Sequence, residues 1–223
     1  MEPLCISVEG ACALGPPIDD EGPSPVAATV SPDQTRERQS TDSLYEVDSG
    51  DIEELQLLGR GGFGRVMKIR FQGKIAAMKV FEDEKGKKAF KTERRQLMRV
   101  HHENIVQLIG YSSPTANSVF LLLEYMPDGS LYELLHNEPK VPYTAGHSIS
   151  WLLQCARAVH YLHSGRPKML HRDLKPPNLL LSESCRKLKI CDFGTAVDFD
   201  RDRRTFTNNK GTAVWMAPEV FES

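Results

Sequence analysis

The chain has 223 residues, 40% of them apolar and 26% charged, and its 28 basic and 30 acidic side chains leave a net charge of −2. That length allows one domain, or one domain and a tail. The near-neutral balance argues against a nucleic-acid or membrane-surface binder, and no apolar run is long enough to span a bilayer. The five cysteines (5, 12, 155, 185 and 191) form no CxxC pair, and the first residues lack the basic stretch of a signal peptide. Reduced thiols, a cytoplasmic location and the lack of a zinc motif are the expectation.

In chain order, residues 1–50 are rich in Pro, Ser, Asp and Thr without periodicity and read as a disordered tail. Two short runs, 54–58 and 65–71, flank a glycine cluster and predict a hairpin. A third strand follows over 74–81, then a charged helix over 87–100, then strands over 105–109 and 119–124. Ser130 and Glu133 make a capping box that opens a helix through Leu135. Leu152, Cys155, Ala156, Val159 and Leu162 recur at helical spacing and predict the apolar face of a longer helix. Short strands return at 179–181 and 188–191. Strands fill one half and helices the other, an α+β order in two lobes.

Gly59, Gly61 and Gly64 stand in G-x-G-x-x-G spacing. Backbone N–H groups in such a loop can approach phosphate oxygens without Cβ collisions. A flexible hairpin turn explains the pattern equally well. Its place between two strands, with no helix opening after it, argues against a dinucleotide-binding domain. In "KIAAMKVF", period two puts Ile75, Ala77, Lys79 and Phe81 on one face. Lys79 is then either a snorkelling side chain or a cation held over a phosphate site. Phe90, Glu93, Leu97 and Val100 share one helical stripe, so Glu93 sits among apolar neighbours and needs a partner. Lys79 is one candidate; the adjacent Arg94 or Arg95 is the simpler one.

"HRDLKPPN" (171–178) is followed by Asp192-Phe193-Gly194 and by Ala217-Pro218-Glu219. A charged surface loop does not account for that order behind a glycine loop, a strand lysine and a helical glutamate. The set resembles the protein-kinase signature. "HRDLKPPNLLL", "LKICDFGTA" and "WMAPEVFE" are similar to the mitogen-activated protein kinase kinase kinases, in the branch that includes TGF-β-activated kinase. The likeness runs from about Ile52 to the last residue.

The resemblance implies a bilobal kinase fold: a complete β-rich lobe and hinge over 51–126, and a partial, truncated helical lobe over 127–223. It implies a serine/threonine kinase using ATP and Mg2+, acting in a stress- or immune-type cascade. Asp173 would accept the substrate hydroxyl proton and Lys175 would steady the γ-phosphate. Asn178 and Asp192 would bind the metal. Gly59, Arg60, Gly61, Gly62, Phe63 and Gly64 would cover the phosphates, and Lys79, held by Glu93, would grip them. Val66 and Ala77 would sandwich the adenine. Leu123 would be the gatekeeper, and Glu124 and Met126 would offer backbone groups. His171 and Phe193 would be packing residues. Thr212 would hydrogen-bond Asp173 and Lys175, and phosphorylation at Thr205 or Thr207 would engage Arg172. Expected partners are MAP kinase kinases as substrates and adaptors of the kind that bind TGF-β-activated kinase. Family members continue with several more helices past the position of Ser223, so a non-catalytic decoy or scaffold is the alternative for the chain as written.

Overall fold

The computed structural model describes residues 45–62, 64–113, 118–199 and 212–221. Phe63, Thr205, Thr207, Cys5, Cys12 and residues 1–44 of the expected tail lie outside the described residues.

The first lobe is built on a meander of β2 (Ile52–Gly61), β3 (Gly64–Phe71) and β4 (Lys74–Phe81), after a short β1 (Tyr45–Glu46). Helix α1 (Glu84–Leu97) follows, then β5 (Leu108–Tyr111) and β6 (Val119–Glu124). The strands form one six-stranded sheet in the order β1-β5-β6-β4-β3-β2. The β2–β3 hairpin closes on the pair Gly61–Gly64. Gly64 has φ +142°, and a Cβ there would lie 1.9 Å from the Val80 carbonyl oxygen, so no other residue fits that turn. β1 corrects the expected boundary at residue 50: it pairs in parallel with β5, and Val47 is buried in the sheet's outer apolar cluster.

α1 starts three residues earlier than the expected residue 87, because Asp83 caps it by accepting from the Gly86 amide. It ends at Leu97, leaving Val100 outside the helix but packed against the main core. The strand expected at 105–109 begins at Leu108 instead. Ile105 is spent on a lone parallel bridge to Ile190, which ties the two lobes together.

The second lobe holds α2 (Leu131–His136), α3 (Ala145–Ser164), β7 (Met169–Leu170), the hairpin β8 (Leu179–Ser182) and β9 (Lys187–Ile190), then β10 (Val197–Asp198) and α4 (Pro218–Phe221). Ser130 caps α2 through the Glu133 amide, and the Glu133 carboxylate returns to the Ser130 backbone. β10 pairs antiparallel with β7. One apolar cluster runs unbroken between the lobes, joining Phe90, Leu97 and Leu121 to Leu162, Ile190 and Phe193. Among the described residues no helix is long and apolar enough to cross a membrane.

The buried face of α3 departs from the expected one only in part: Leu162 is buried and Cys155 and Val159 pack against the core as expected. Leu152 is 70% exposed and Ala156 is exposed, while Trp151, Gln154, Ala158 and Leu162 are buried. Hydrogen bonds select this face: Trp151 Nε1 donates to the Cys185 carbonyl at 2.7 Å, and the Gln154 amide bonds the backbone of Leu188 and Arg186 at 2.8 Å each. Hydrophobicity alone does not register an apolar stripe against such partners. In the 223-residue chain, Leu162→Ala costs about 2–5 kcal/mol in chemical denaturation, whereas Leu152→Ala changes stability by under about 0.5 kcal/mol.

Candidate active site

The cleft between the lobes gathers side chains that are far apart in sequence. Leu58, Val66, Ala77, Lys79, Val106 and Leu123 come from the first lobe, Met126 from the connection, and Asn178, Leu180 and Asp192 from the second lobe. Lys79 extends from β4 and is only 5% exposed, yet it meets two carboxylates. Its Nζ donates to Glu93 at 2.7 and 3.0 Å and to Asp192 at 2.9 Å. The long-range partner for Glu93 therefore prevails over Arg94 and Arg95. β4 and α1 bring residues 79 and 93 together, and Arg94 turns instead over the rings of Phe90 and Tyr111.

Burial pulls the Lys79 ammonium toward neutrality, but Asp192 and Glu93 outweigh it, raise its pKa and keep it charged. Burial pushes the Glu93 carboxyl up to about 7 against the pull of Lys79. Asp192 is driven up by the same loss of water, and Lys79 more than reverses this, leaving its pKa lowered. Asp192 thus remains a charged oxygen donor in the cleft.

Asp192 occupies the left-handed region at φ 63°, as does Arg172 at φ 67°. Residues of these types are held there only when their surroundings fix them. Those surroundings are present. Phe193 is fully buried and meets the His171 ring edge-on at 4.9 Å. His171 Nε2 donates to the Cys191 carbonyl at 2.9 Å, and burial lowers the pKa of the ring, so it is neutral. Arg172 Nε donates to the Thr195 carbonyl at 2.8 Å.

Beside this lies a second polar group. Lys175 Nζ is 2.9 Å from Asp173 Oδ2 and donates to Thr212 Oγ1 at 2.5 Å. The Thr212 amide and hydroxyl both donate to Asp173 Oδ1 at 3.1 Å. The Asn178 amide nitrogen donates to the Asp173 carbonyl at 2.8 Å and to Asp173 Oδ2 at 3.2 Å. With that NH2 committed, Asn178 has its amide oxygen left to offer a cation.

Among the described residues no group of three or more His, Cys, Asp or Glu side chains is placed to hold a metal. One carboxylate and one amide oxygen, from Asp192 and Asn178, instead suit Mg2+, which keeps most of its waters and takes phosphate oxygens. The residues present fit such an ion.

The expected residues divide by location. Val66, Ala77, Lys79, Glu93, Leu123, Glu124, Met126, Asn178 and Asp192 line the cleft. Gly59, Arg60, Gly61, Gly62 and Gly64 do not; they form the tip of the β2–β3 hairpin whose base supplies Leu58 and Val66. The Glu124 carboxylate points elsewhere: it accepts from Lys189 Nζ at 2.7 and 2.8 Å and from the Gln107 amide at 2.7 Å. Leu58, Val106, Tyr125, Pro177 and Leu180 also line the cleft, and sequence reasoning missed them. Leu58, Tyr125, Pro177 and Leu180 each stand within two residues of a signature residue, whereas Val106 carries no such positional signal. Burial pushes the Cys191 thiol well up, so its nucleophilic form is disfavoured.

The space open to water in the cleft is about 50 Å3, well below the ~300–1,000 Å3 of ordinary ligand sites. A larger cavity of about 790 Å3 lies on the far face of the sheet, lined by Val47, Met78, Val80 and Phe120, and holds none of these groups.

Residues 52–223 match the protein-family model for the protein kinase domain. Over 182 residues the chain is 52% identical to mitogen-activated protein kinase kinase kinase 7 of Homo sapiens, covering 81% of this chain and 29% of that protein. It is 44% identical over 177 residues to the Drosophila melanogaster protein of the same name, covering 79% and 26%. It is 34% identical over 214 residues to mitogen-activated protein kinase kinase kinase mom-4 of Caenorhabditis elegans, covering 89% and 38%. The chain thus spans less than two fifths of the length of each of these relatives.

Between pH 4.5 and about 7 the folded state keeps a proton on Glu93 that the unfolded chain has lost, so this group's contribution to stability falls as pH rises through that window. Glu93→Gln removes the titration. The stability difference between variant and parent therefore shifts in the variant's favour, by on the order of 3 kcal/mol, as pH rises from 4.5 to above 7 in urea-denaturation series.

Proposed function

The chain belongs to the protein kinase family, and from that premise we propose that it transfers the γ-phosphoryl group of ATP to serine or threonine hydroxyls of proteins. The observation that carries the reading is the meeting of Lys79, Glu93 and Asp192 in the cleft beside Asp173, Lys175 and Asn178. When bound, Mg2+ would supply charge neutralisation of the phosphates, held by Asp192 and the Asn178 amide oxygen.

Asp173 orients the substrate hydroxyl and accepts its proton. Thr212, Asn178 and Lys175 hold that carboxylate from three sides, so its oxygen is aimed before substrate arrives. Lys175 and Lys79 place positive charge where the phosphates lie. Because transfer passes through a loose transition state, such positioning and charge stabilisation supply most of the catalysis. Leu58, Val66, Ala77 and Leu180 provide an apolar slot for the base, with Leu123 at its back. The Glu124 amide already donates to the Gln107 carbonyl, so residue 124 offers the base its carbonyl.

The likeness to mitogen-activated protein kinase kinase kinase 7 supports MAP kinase kinases as the substrates, and we propose that the chain acts in a stress- or immune-type cascade. We further propose adaptors of the type that serve TGF-β-activated kinase as its partners, and action in the cytoplasm. Phosphorylation at Thr205 or Thr207 would regulate it.

Asp173→Asn and Lys79→Met each lower ATP-dependent phosphorylation of a MAP kinase kinase by at least about 100-fold in a radiolabel assay. Incorporation by either variant at the parent's rate contradicts the assignment.

A further inference from the structure

Arg99 and Asp198 lie outside the site described above, and each is attached to a part of it. Arg99 stands two residues beyond the end of α1, the helix that carries Glu93. Its Nη1 donates to Gln96 Oε1 at 3.2 Å, and Gln96 is a fully buried α1 residue, so the guanidinium is tethered to the helix. The same nitrogen lies 3.0 Å from both oxygens of Asp198. Asp198 is only 1% exposed. It belongs to β10, opposite Met169 of β7, the strand that leads into His171. The next amide, of Phe199, donates to the Lys168 carbonyl at 2.8 Å. Asp198 is therefore fixed to the catalytic lobe by its backbone and to α1 by its side chain.

We propose that the Arg99–Asp198 ion pair is a positioning latch that holds the end of α1 against the segment following Asp192 and so keeps Glu93 within reach of Lys79. Along the axis, residue 93 and the end of α1 at Leu97 are separated by about 6 Å, and Arg99 follows two residues on. One end of this stretch is pinned by Glu93–Lys79–Asp192 and the other by Arg99–Asp198. A helix held at one point can pivot; a helix held at two cannot. A buried carboxylate deprived of its cation is costly, which keeps the latch closed. Both partners are encoded side chains, so the latch sets α1 without any added phosphate. Arg99 and Asp198 are positioning residues, acting through Glu93 and touching no reacting atom.

The inference rests on the phosphoryl-transfer reading for its effect on rate, so its test has two readouts. The variant Arg99→Gln, at a site one-third exposed, is compared with the parent by hydrogen–deuterium exchange of the α1 amides and by steady-state kinetics. The expected result is faster α1 exchange together with a kcat about tenfold lower. Arg99→Lys restores both, because one nitrogen makes all the contacts. In a Glu93→Gln background, Arg99→Gln lowers kcat by less than about twofold further, since the latch acts through Glu93. Unchanged α1 exchange in Arg99→Gln overturns the latch whatever the activity, as does a full tenfold loss on top of Glu93→Gln. If the parent transfers no phosphate at all, the phosphoryl-transfer reading fails, and the exchange comparison alone decides the latch.

Discussion

A lysine held out of water between two carboxylates is the constraint on which this structure turns. Lys79, Glu93 and Asp192 come from a strand, a helix and a loop of the opposite lobe, and each needs the others to be tolerated where it lies. Removing one partner from such a group leaves buried charge unbalanced, which costs more than the intact pair contributes. The group therefore closes only when β4, α1 and the Asp192 turn are all in place.

The surrounding architecture serves that closure. Asp192 keeps a left-handed backbone because Phe193 is locked against His171 and because its carboxylate is gripped by Lys79. Arg172 is held in the same region one residue before Asp173, with its side chain on the Thr195 carbonyl. The cleft therefore has two strained corners fastened to each other through the short segment 192–195. The apolar cluster that passes from Phe90 through Leu121 to Leu162 and Phe193 makes the two lobes one packed body around them.

Much of this was legible in the residue order, and the failures share one cause. Strand limits such as Lys74–Phe81 and Val119–Glu124 follow from local alternation, and the cap at Ser130 from local chemistry. Contacts made across the fold left no local trace. The simpler partner for Glu93 was a neighbour in sequence, yet the partner in space is fourteen residues away. The stripe on α3 looked apolar at Leu152 and Ala156, but the buried face is the one whose Trp151 and Gln154 meet backbone groups of the β8–β9 region. Ile105 has the composition of a strand residue and instead bridges to Ile190. In the site, the signature residues announced themselves by chemistry. The apolar walls at Leu58, Val106 and Leu180 did not, because an aliphatic residue reads the same in a cleft as in a core.

We propose that the lysine–carboxylate group receives a nucleoside triphosphate with its divalent ion. Calorimetric titration of the folded chain with ATP, with and without Mg2+, tests it most directly. Saturable one-to-one binding is expected, weakened when Mg2+ is chelated and weakened again in Asp192→Asn. No heat of binding from a folded parent chain, or binding indifferent to both the ion and Asp192, would contradict it.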